Sequence, residues 1–341
     1  MTPSNRLEAL RQWTTVVADT GDIDEITRLK PTEATTNPSL ILKAARTARG
    51  EAILAAARCA NESPRLRIDR VVTDFGKAIL EHIPGRVSTE VDARLSFDTR
   101  ATVEKARRLI ALYEAGDISR ERVLIKIAAT WEGCEAARVL EQEGIHCNMT
   151  LIFSLAQAKA AAQAGATLIS PFVGRIYDWA KKEAGDAWSE AENAGVKDPG
   201  VQSVTAIYRT LKAAGSKTQI MGASFRNLGE ITALAGCDLL TIAPKFIDAL
   251  RRDEAPLERV LSSDTLTPTA PVAITESEFR WETTMSANSP KESEPLRRTP
   301  KPWKNCLSEP LRRGLHYEDA PCRAYGALGG TGRLSSEAPH P

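Results

Sequence analysis

What this sequence has little of narrows its function first. Positive and negative side chains nearly balance, 45 Lys and Arg against 44 Asp and Glu, so the net charge is only +1. That leaves no electrostatic basis for a nucleic-acid or membrane-surface partner. No apolar run approaches the ~20 residues needed to cross a bilayer, and Met1 to Arg11 lacks the apolar core of a secretory leader. Cys59, Cys134, Cys147, Cys237, Cys306 and Cys322 form no C-x-x-C pair, and with four scattered histidines they offer no zinc-type spacing. Reduced thiols and a cytoplasmic location are expected. Heptads and short repeats are missing too, and no G-x-G-x-x-G follows the first predicted strand.

What is present is a regular alternation. Strands or extended pieces are predicted at Thr14 to Ala18, Ala34 to Leu40, Arg86 to Glu90, Arg122 to Ala128, His146 to Ile152, Thr167 to Phe172, Thr218 to Ala223 and Asp238 to Ala243. Each is followed by a helical pattern. Ile23 to Leu29 is a short helix, and alanine-rich Ile41 to Ala60 reads as one continuous helix. Ile68, Val71, Val72, Phe75, Ile79 and Ile83 keep three-four spacing. Asp98 caps a helix through Tyr113, and further helices follow at Glu132 to Gly144, Ser154 to Ala164 and Gly174 to Glu183. Asp186 to Lys197 is a polar connection. Asp198-Pro199 opens the next helix and Gly215 closes it, with Asn227 to Ala235 and Phe246 to Arg251 behind the last two strands. Eight strand–helix units make an α/β chain folded as a closed (β/α)₈ TIM barrel, which takes roughly 250 residues in one piece. An open doubly wound sheet is the competing architecture, but it does not require eight units.

Val123 to Trp131 (VLIKIAATW) is the stretch around which the rest is organised. It reads as a strand buried on both faces with one lysine in its middle. Burying an ammonium is costly, so enclosure favours the neutral amine. A neutral amine in a walled site can attack a ketone and form a Schiff base. The alternative is a lysine at a strand end, in solvent or paired with a carboxylate.

Function in such a barrel collects where strands end. Those positions hold Asp19, Asn37, Glu90, Lys126, Asn148, Thr150, Ser170, Ser224 and Arg226. Asp19 and Glu90 are acid–base candidates. Asn37, Asn148 and Ser170 suit sugar hydroxyls. Arg175 and Arg226, each at a helix start, suit phosphate with helix N–H groups, or else a salt bridge along a helix face. Asn148-Met149-Thr150 and Asn61-Glu62-Ser63 match glycosylation sequons, which a cytoplasmic protein does not use.

Two long motifs, Ala34 to Leu40 (ATTNPSL) and Val123 to Gly133 (VLIKIAATWEG), resemble the signatures of the transaldolase family. VVADTGD, STEVDARLS, ISPFVGR, MGASFRN and ITESEF resemble that family too, in its order, over roughly residues 7 to 282. The resemblance implies a class I aldolase-type barrel of the pentose phosphate pathway. Such an enzyme transfers a dihydroxyacetone unit from a ketose phosphate (sedoheptulose 7-phosphate or fructose 6-phosphate) to an aldose phosphate. It further implies Lys126 as the Schiff-base lysine, Asp19 as the acid–base carboxylate, and Glu90 with Thr150 as the pair positioning a catalytic water. Asn37, Asn148 and Ser170 then bind donor, and Arg175, Ser224 and Arg226 bind phosphate. No metal or organic cofactor is implied, and a homodimer is.

Departures from the family pattern are also legible. Ala129 stands where serine is common, and Leu40 to Gly85 is shortened. The family's long C-terminal amphipathic helix has no counterpart after Trp281. Residues 1–282 are therefore expected to form the catalytic barrel and 283–341 a low-complexity, disordered tail, for which a shifted reading frame is one origin. The Gly-rich piece Gly326 to Gly332 follows no strand and is read as tail rather than as a phosphate loop. A free-standing sugar-phosphate aldolase and a non-catalytic sugar-phosphate binder remain the alternatives to a transaldolase.

Overall fold

The computed structural model describes residues 3–287 of the chain. Eight parallel strands close a barrel in sequence order. They are β1 Thr15–Asp19, β2 Glu33–Thr35, β3 Val87–Glu90, β4 Val123–Ala128, β5 Cys147–Ile152, β6 Leu168–Pro171, β7 Gln219–Gly222 and β8 Leu239–Ile242. The ring is shut by β1 pairing with β8, Val17 opposite Thr241. The (β/α)₈ expectation holds and the open sheet is excluded.

Helix α1 (Arg6–Leu10) precedes the barrel and α2 (Ile23–Leu29) follows β1. Between β2 and β3 lie α3 (Pro38–Ala44), α4 (Ala48–Cys59) and α5 (Pro64–Leu80). The single helix expected over Ile41 to Ala60 is thus two. Thr47 breaks it: its hydroxyl accepts from Gly50 N and donates to Ala44 O, so it caps α4 where alanine content alone favours continuation. Gly50 permits the break, since a methyl there would overlap Ala44 O. The remaining helices are α6 (Thr99–Glu114), α7 (Trp131–Gln142), α8 (Leu155–Gln163), α9 (Val173–Ala184), α10 (Pro199–Ala213), α11 (Leu228–Thr232) and α12 (Pro244–Arg252). Asp98, Ser154, Asp198 and Asn227 each cap the helix they precede.

After α12 the chain runs back across the outside as a strap. Leu261 N donates to Ala235 O and Thr269 N to Ala213 O, both at 2.8 Å, and Ile274 N reaches Gln163 Oε1 at 2.7 Å. The strap ends in α13 (Glu276–Ala287), which packs on α7 and α8. Its Phe279 is buried against Trp131, ring centroids 5.5 Å apart, and Arg280 pairs with Glu132 at 2.8 Å. Regular structure therefore continues five residues beyond the expected boundary at 282, through Ala287. The rest of the expected tail, with its Gly-rich piece, lies outside the described residues.

Packing separates into two zones. Alternate β4 residues Val123, Ile125 and Ile127 join the large cluster between sheet and helices. Val17, Leu124, Leu168, Met221 and Leu239 form their own cluster. They come from five strands, several not neighbours in the sheet, so they meet through the barrel interior as a floor of side chains. Period two then aims the residues two positions on, Asp19, Lys126, Ser170 and Thr241, into the interior above that floor.

At the opposite end of the strands, His146 joins the starts of β4, β5 and β6. Its Nδ1 meets Glu141 at 3.1 Å and its Nε2 meets Glu121 at 3.0 Å, while Glu141 also accepts from Cys147 N and Thr167 N. Partial burial opposes protonation of the ring, but the two carboxylates together outweigh it and raise the pKa. A raised folded pKa stabilises fully below the unfolded value of about 6.5 and loses that contribution as pH rises through the folded midpoint. Urea unfolding between about pH 6 and about pH 8 should therefore show stability falling more steeply in the wild type than in His146→Gln. Parallel curves for the two proteins would remove the histidine from that role.

Candidate active site

Lys126 lies within β4, buried, with Leu124 beneath it in the floor. Its Nζ is 3.2 Å from Glu90 Oε2 and donates to Thr36 O at 3.3 Å. The amine is enclosed in mid-strand rather than at a strand end, and it has a carboxylate partner. Glu90 stands opposite it in the parallel register of β3 and β4. Its carboxylate is the one acidic group paired with the lysine among the described residues, and truncating either partner would leave a buried charge uncompensated.

Asp19 ends β1 and opens toward the barrel mouth. Burial among protein atoms raises its pKa, against the nearby Lys126 charge and a hydrogen bond from Thr35. Thr35 Oγ1 donates to Asp19 Oδ1 at 3.3 Å and contacts Thr241 Oγ1 at 2.7 Å. Since the Thr35 proton is used on Asp19, Thr241 is the donor to Thr35. A hydroxyl chain from β8 through β2 thus orients the carboxyl on β1.

Asn148 is the second residue of β5 rather than a strand-end residue, and it is fully buried. Its Nδ2 donates to Ser88 Oγ at 3.0 Å, and its Oδ1 accepts from Ser170 Oγ at 2.6 Å. This burial also removes Asn148 as a glycosylation acceptor. Thr150, two residues on, has a buried hydroxyl with no hydrogen-bond partner. Immediately after it the β5–β6 register shifts and Leu151 takes φ +59°, a strained conformation for a branched side chain. Gln157 holds the bulge by donating to Leu151 O at 2.9 Å and to Ala129 O at 3.0 Å. A buried, unsatisfied hydroxyl beside a held kink suits a group meant to meet water or a ligand.

Asn37 caps α3, its Oδ1 accepting from Leu40 N at 3.0 Å, so only its amide N–H groups are available to a ligand. The arginines differ from one another. Arg175 stacks its guanidinium 5.3 Å over the Phe172 ring and pairs with no carboxylate among the described residues. Arg226 forks onto Asp178 of α9, with contacts of 3.0 and 2.5 Å, and its Nη1 donates to Ser224 O and Oγ. For Arg226 the salt-bridge alternative is what the structure contains. The first two helix N–H groups of α9, and the backbone N–H of Arg226, are also committed. Val173 N and Gly174 N donate to Ala223 O and Ser224 O, and Arg226 N donates to Glu230 Oε2. The two loops are consequently stitched together, with Ser224 strained at φ +66°.

Lys126, Glu90, Asp19, Thr150, Asn148 and Ser170 are thus gathered on the inner surface of the barrel. Asn37, Arg175, Ser224 and Arg226 follow β2, β6 and β7 at its C-terminal rim. Sequence reasoning missed Thr35, Ser88 and Thr241, which orient these groups. Period two counted back to the apolar floor residues would have found Thr241. Among the described residues no helix is long and apolar enough to cross a membrane, and no group of three or more His, Cys, Asp or Glu side chains could hold a metal ion.

An amine, two carboxyl groups and a ring of hydroxyls and amides at the C-terminal mouth of a parallel barrel define a barrel enzyme. The family model for transaldolase/fructose-6-phosphate aldolase matches residues 16–308, and the chain belongs to that family. Its activity is accordingly that of a transaldolase or an aldolase on sugar phosphates.

Gly174 is where the phosphate-side loops touch: a methyl there would overlap Ser224 O and crowd Arg226 Cγ and Nη1. Gly174→Ala should cost about 1–3 kcal/mol of stability in urea unfolding, as overpacking does. A loss under about 0.5 kcal/mol would mean the loop yields freely.

Proposed function

We propose that the protein is a transaldolase working through a Schiff base on Lys126. The observation that carries this reading is the enclosed Lys126 amine, 3.2 Å from a carboxylate that can take its proton. The deprotonated amine attacks the C2 ketone of a ketose phosphate. The carbinolamine loses water to give an iminium, with Glu90 and the unsatisfied Thr150 hydroxyl holding the water that leaves and later returns.

Asp19 then takes the proton of the C4 hydroxyl. The C3–C4 bond breaks, its electrons pass into the iminium as an enamine, and the shortened aldose phosphate departs. An acceptor aldose phosphate adds in the reverse sense, and hydrolysis frees the lysine. Asn37, Asn148 and Ser170 hold hydroxyls of the three-carbon unit. Arg175, Ser224 and Arg226 hold the phosphate, whose charge competes with Asp178 for Arg226. The matched family covers both transfer to an acceptor and release of the three-carbon unit to water, and the sequence motifs favour transfer. The reaction belongs to the pentose phosphate pathway on the same ground, and we extend the family's resemblance to a cytoplasmic homodimer.

Borohydride reduction with fructose 6-phosphate should trap the sugar covalently on the wild type and not on Lys126→Ala; trapping on the variant would assign the nucleophile elsewhere. Asp19→Ala should still be trapped but cleave roughly 10²–10⁴-fold more slowly. Because the Asp19 carboxyl must be ionised to accept a proton and its pKa is raised, turnover should fall on acidification above the ordinary carboxylate range. Sugar release that does not depend on erythrose 4-phosphate would reassign the enzyme as a free aldolase.

A further inference from the structure

Behind the strained loop that carries Ser224 and Arg226 lie two buried carboxyl groups that the mechanism does not use. Glu230 is fully buried in α11 and Asp198 is 1% exposed at the start of α10. Asp198 Oδ1 accepts from Gly200 N at 2.7 Å and from Val201 N at 3.1 Å. Its Oδ2 is buried with no donor, and the Glu230 carboxyl is near enough to interact with the Asp198 side chain. Glu230 Oε2 accepts from Arg226 N at 2.7 Å and Oε1 from Asn227 Nδ2 at 3.2 Å. The guanidinium of Arg226 is turned to Asp178 and Ser224, so no ammonium or guanidinium hydrogen-bonds either carboxyl among the described residues. Two adjacent buried carboxylates resist being ionised together, so the second proton is lost only at higher pH. One proton, donated from Glu230 to Asp198 Oδ2, satisfies the orphaned oxygen and leaves Glu230 free to accept from Arg226 N.

We propose that Glu230 and Asp198 share one proton and, through Arg226 N, hold the Ser224–Arg226 segment in the conformation that binds the substrate phosphate. Glu230 is then a positioning residue, and the inference rests on the phosphate role proposed for Arg226. Burial pushes the Glu230 carboxyl up to about 7, against the hydrogen bond from Arg226 N and with the Asp198 charge adding to the rise. The charged groups facing Glu230 are Arg226 from the loop after β7, Asp198 from α10 and Asp178 from α9. Ionisation of Glu230 sets two negative charges against each other behind the loop, so the phosphate grip weakens as pH rises through that midpoint. A phosphate monoester is already mostly dianionic there, its second pKa being about 6, so the ligand's own titration does not produce the same trend.

The test is steady-state kinetics with fructose 6-phosphate and erythrose 4-phosphate from about pH 6 to about pH 9, alongside calorimetric binding of inorganic phosphate. The wild-type KM should rise above about pH 7 with kcat changing little. Glu230→Gln, which can accept from Arg226 N and donate to Asp198 but cannot ionise, should keep the low-pH KM across the range. Glu230→Ala should raise KM about tenfold at every pH and weaken phosphate binding in proportion. A Glu230→Gln profile as pH-dependent as the wild type, or unchanged phosphate binding in a folded Glu230→Ala, overturns the proposal. If Glu230→Ala does not fold, the Glu230→Gln profile decides alone. Absence of borohydride trapping in the wild type would instead sink the Schiff-base reading, while the phosphate calorimetry would still judge the Glu230–Asp198 pair.

Discussion

An ammonium enclosed by strands has to be matched by a negative charge on the same inner wall, and Glu90 beside Lys126 supplies one whenever the amine carries its proton. A lone buried charge of either sign would cost several kcal/mol. The parallel register that sets Glu90 beside Lys126 therefore constrains where β3 and β4 can sit relative to each other. A one-residue slip of β4 against β3 would turn Lys126 toward the outer helices and put an isoleucine in its place.

Around that pair the interior is ordered in depth. The apolar floor of Val17, Leu124, Leu168, Met221 and Leu239 excludes water from below. Above it, contacts link strands that are not sheet neighbours: Thr35 with Thr241, and Asn148 with Ser88. Such bridges hold the functional groups in fixed rotamers before any ligand arrives, which is how preorganised sites avoid reorganising during reaction. The strained residues lie at the same groups: Leu151 follows the unsatisfied Thr150, and Ser224 itself accepts from Arg226.

The sequence made the barrel legible because both of its periods are local. Strand runs of three to six residues and helices at three-four spacing are written in adjacent positions, and caps such as Asp98 and Asp198 mark their starts. Lys126 stood out because a charge interrupts an otherwise apolar run. What was illegible is long-range. No local pattern tells that Asp178 will claim the fork of Arg226, or that the first N–H groups of α9 will be used by the loop after β7. Thr47 was missed for a different reason: one hydroxyl cap outweighed twenty residues of helix-favouring composition. Asn148 was found but set too high in the barrel, since strand tilt, not sequence, decides which layer a residue occupies.

The strap from Asp253 to Thr275 makes the last described part of the chain a neighbour of its middle. It delivers α13 to α7, whose first residue, Trp131, comes three positions after the end of β4. In an eight-stave ring, β4 and β5 sit diametrically across from the seam where β1 meets β8. The C-terminal segment thus fastens beside the seam at its start, through Asp253 and Arg6, and buttresses the wall of β4 and β5 at its end. Alterations in α13 therefore bear on the wall that carries Lys126.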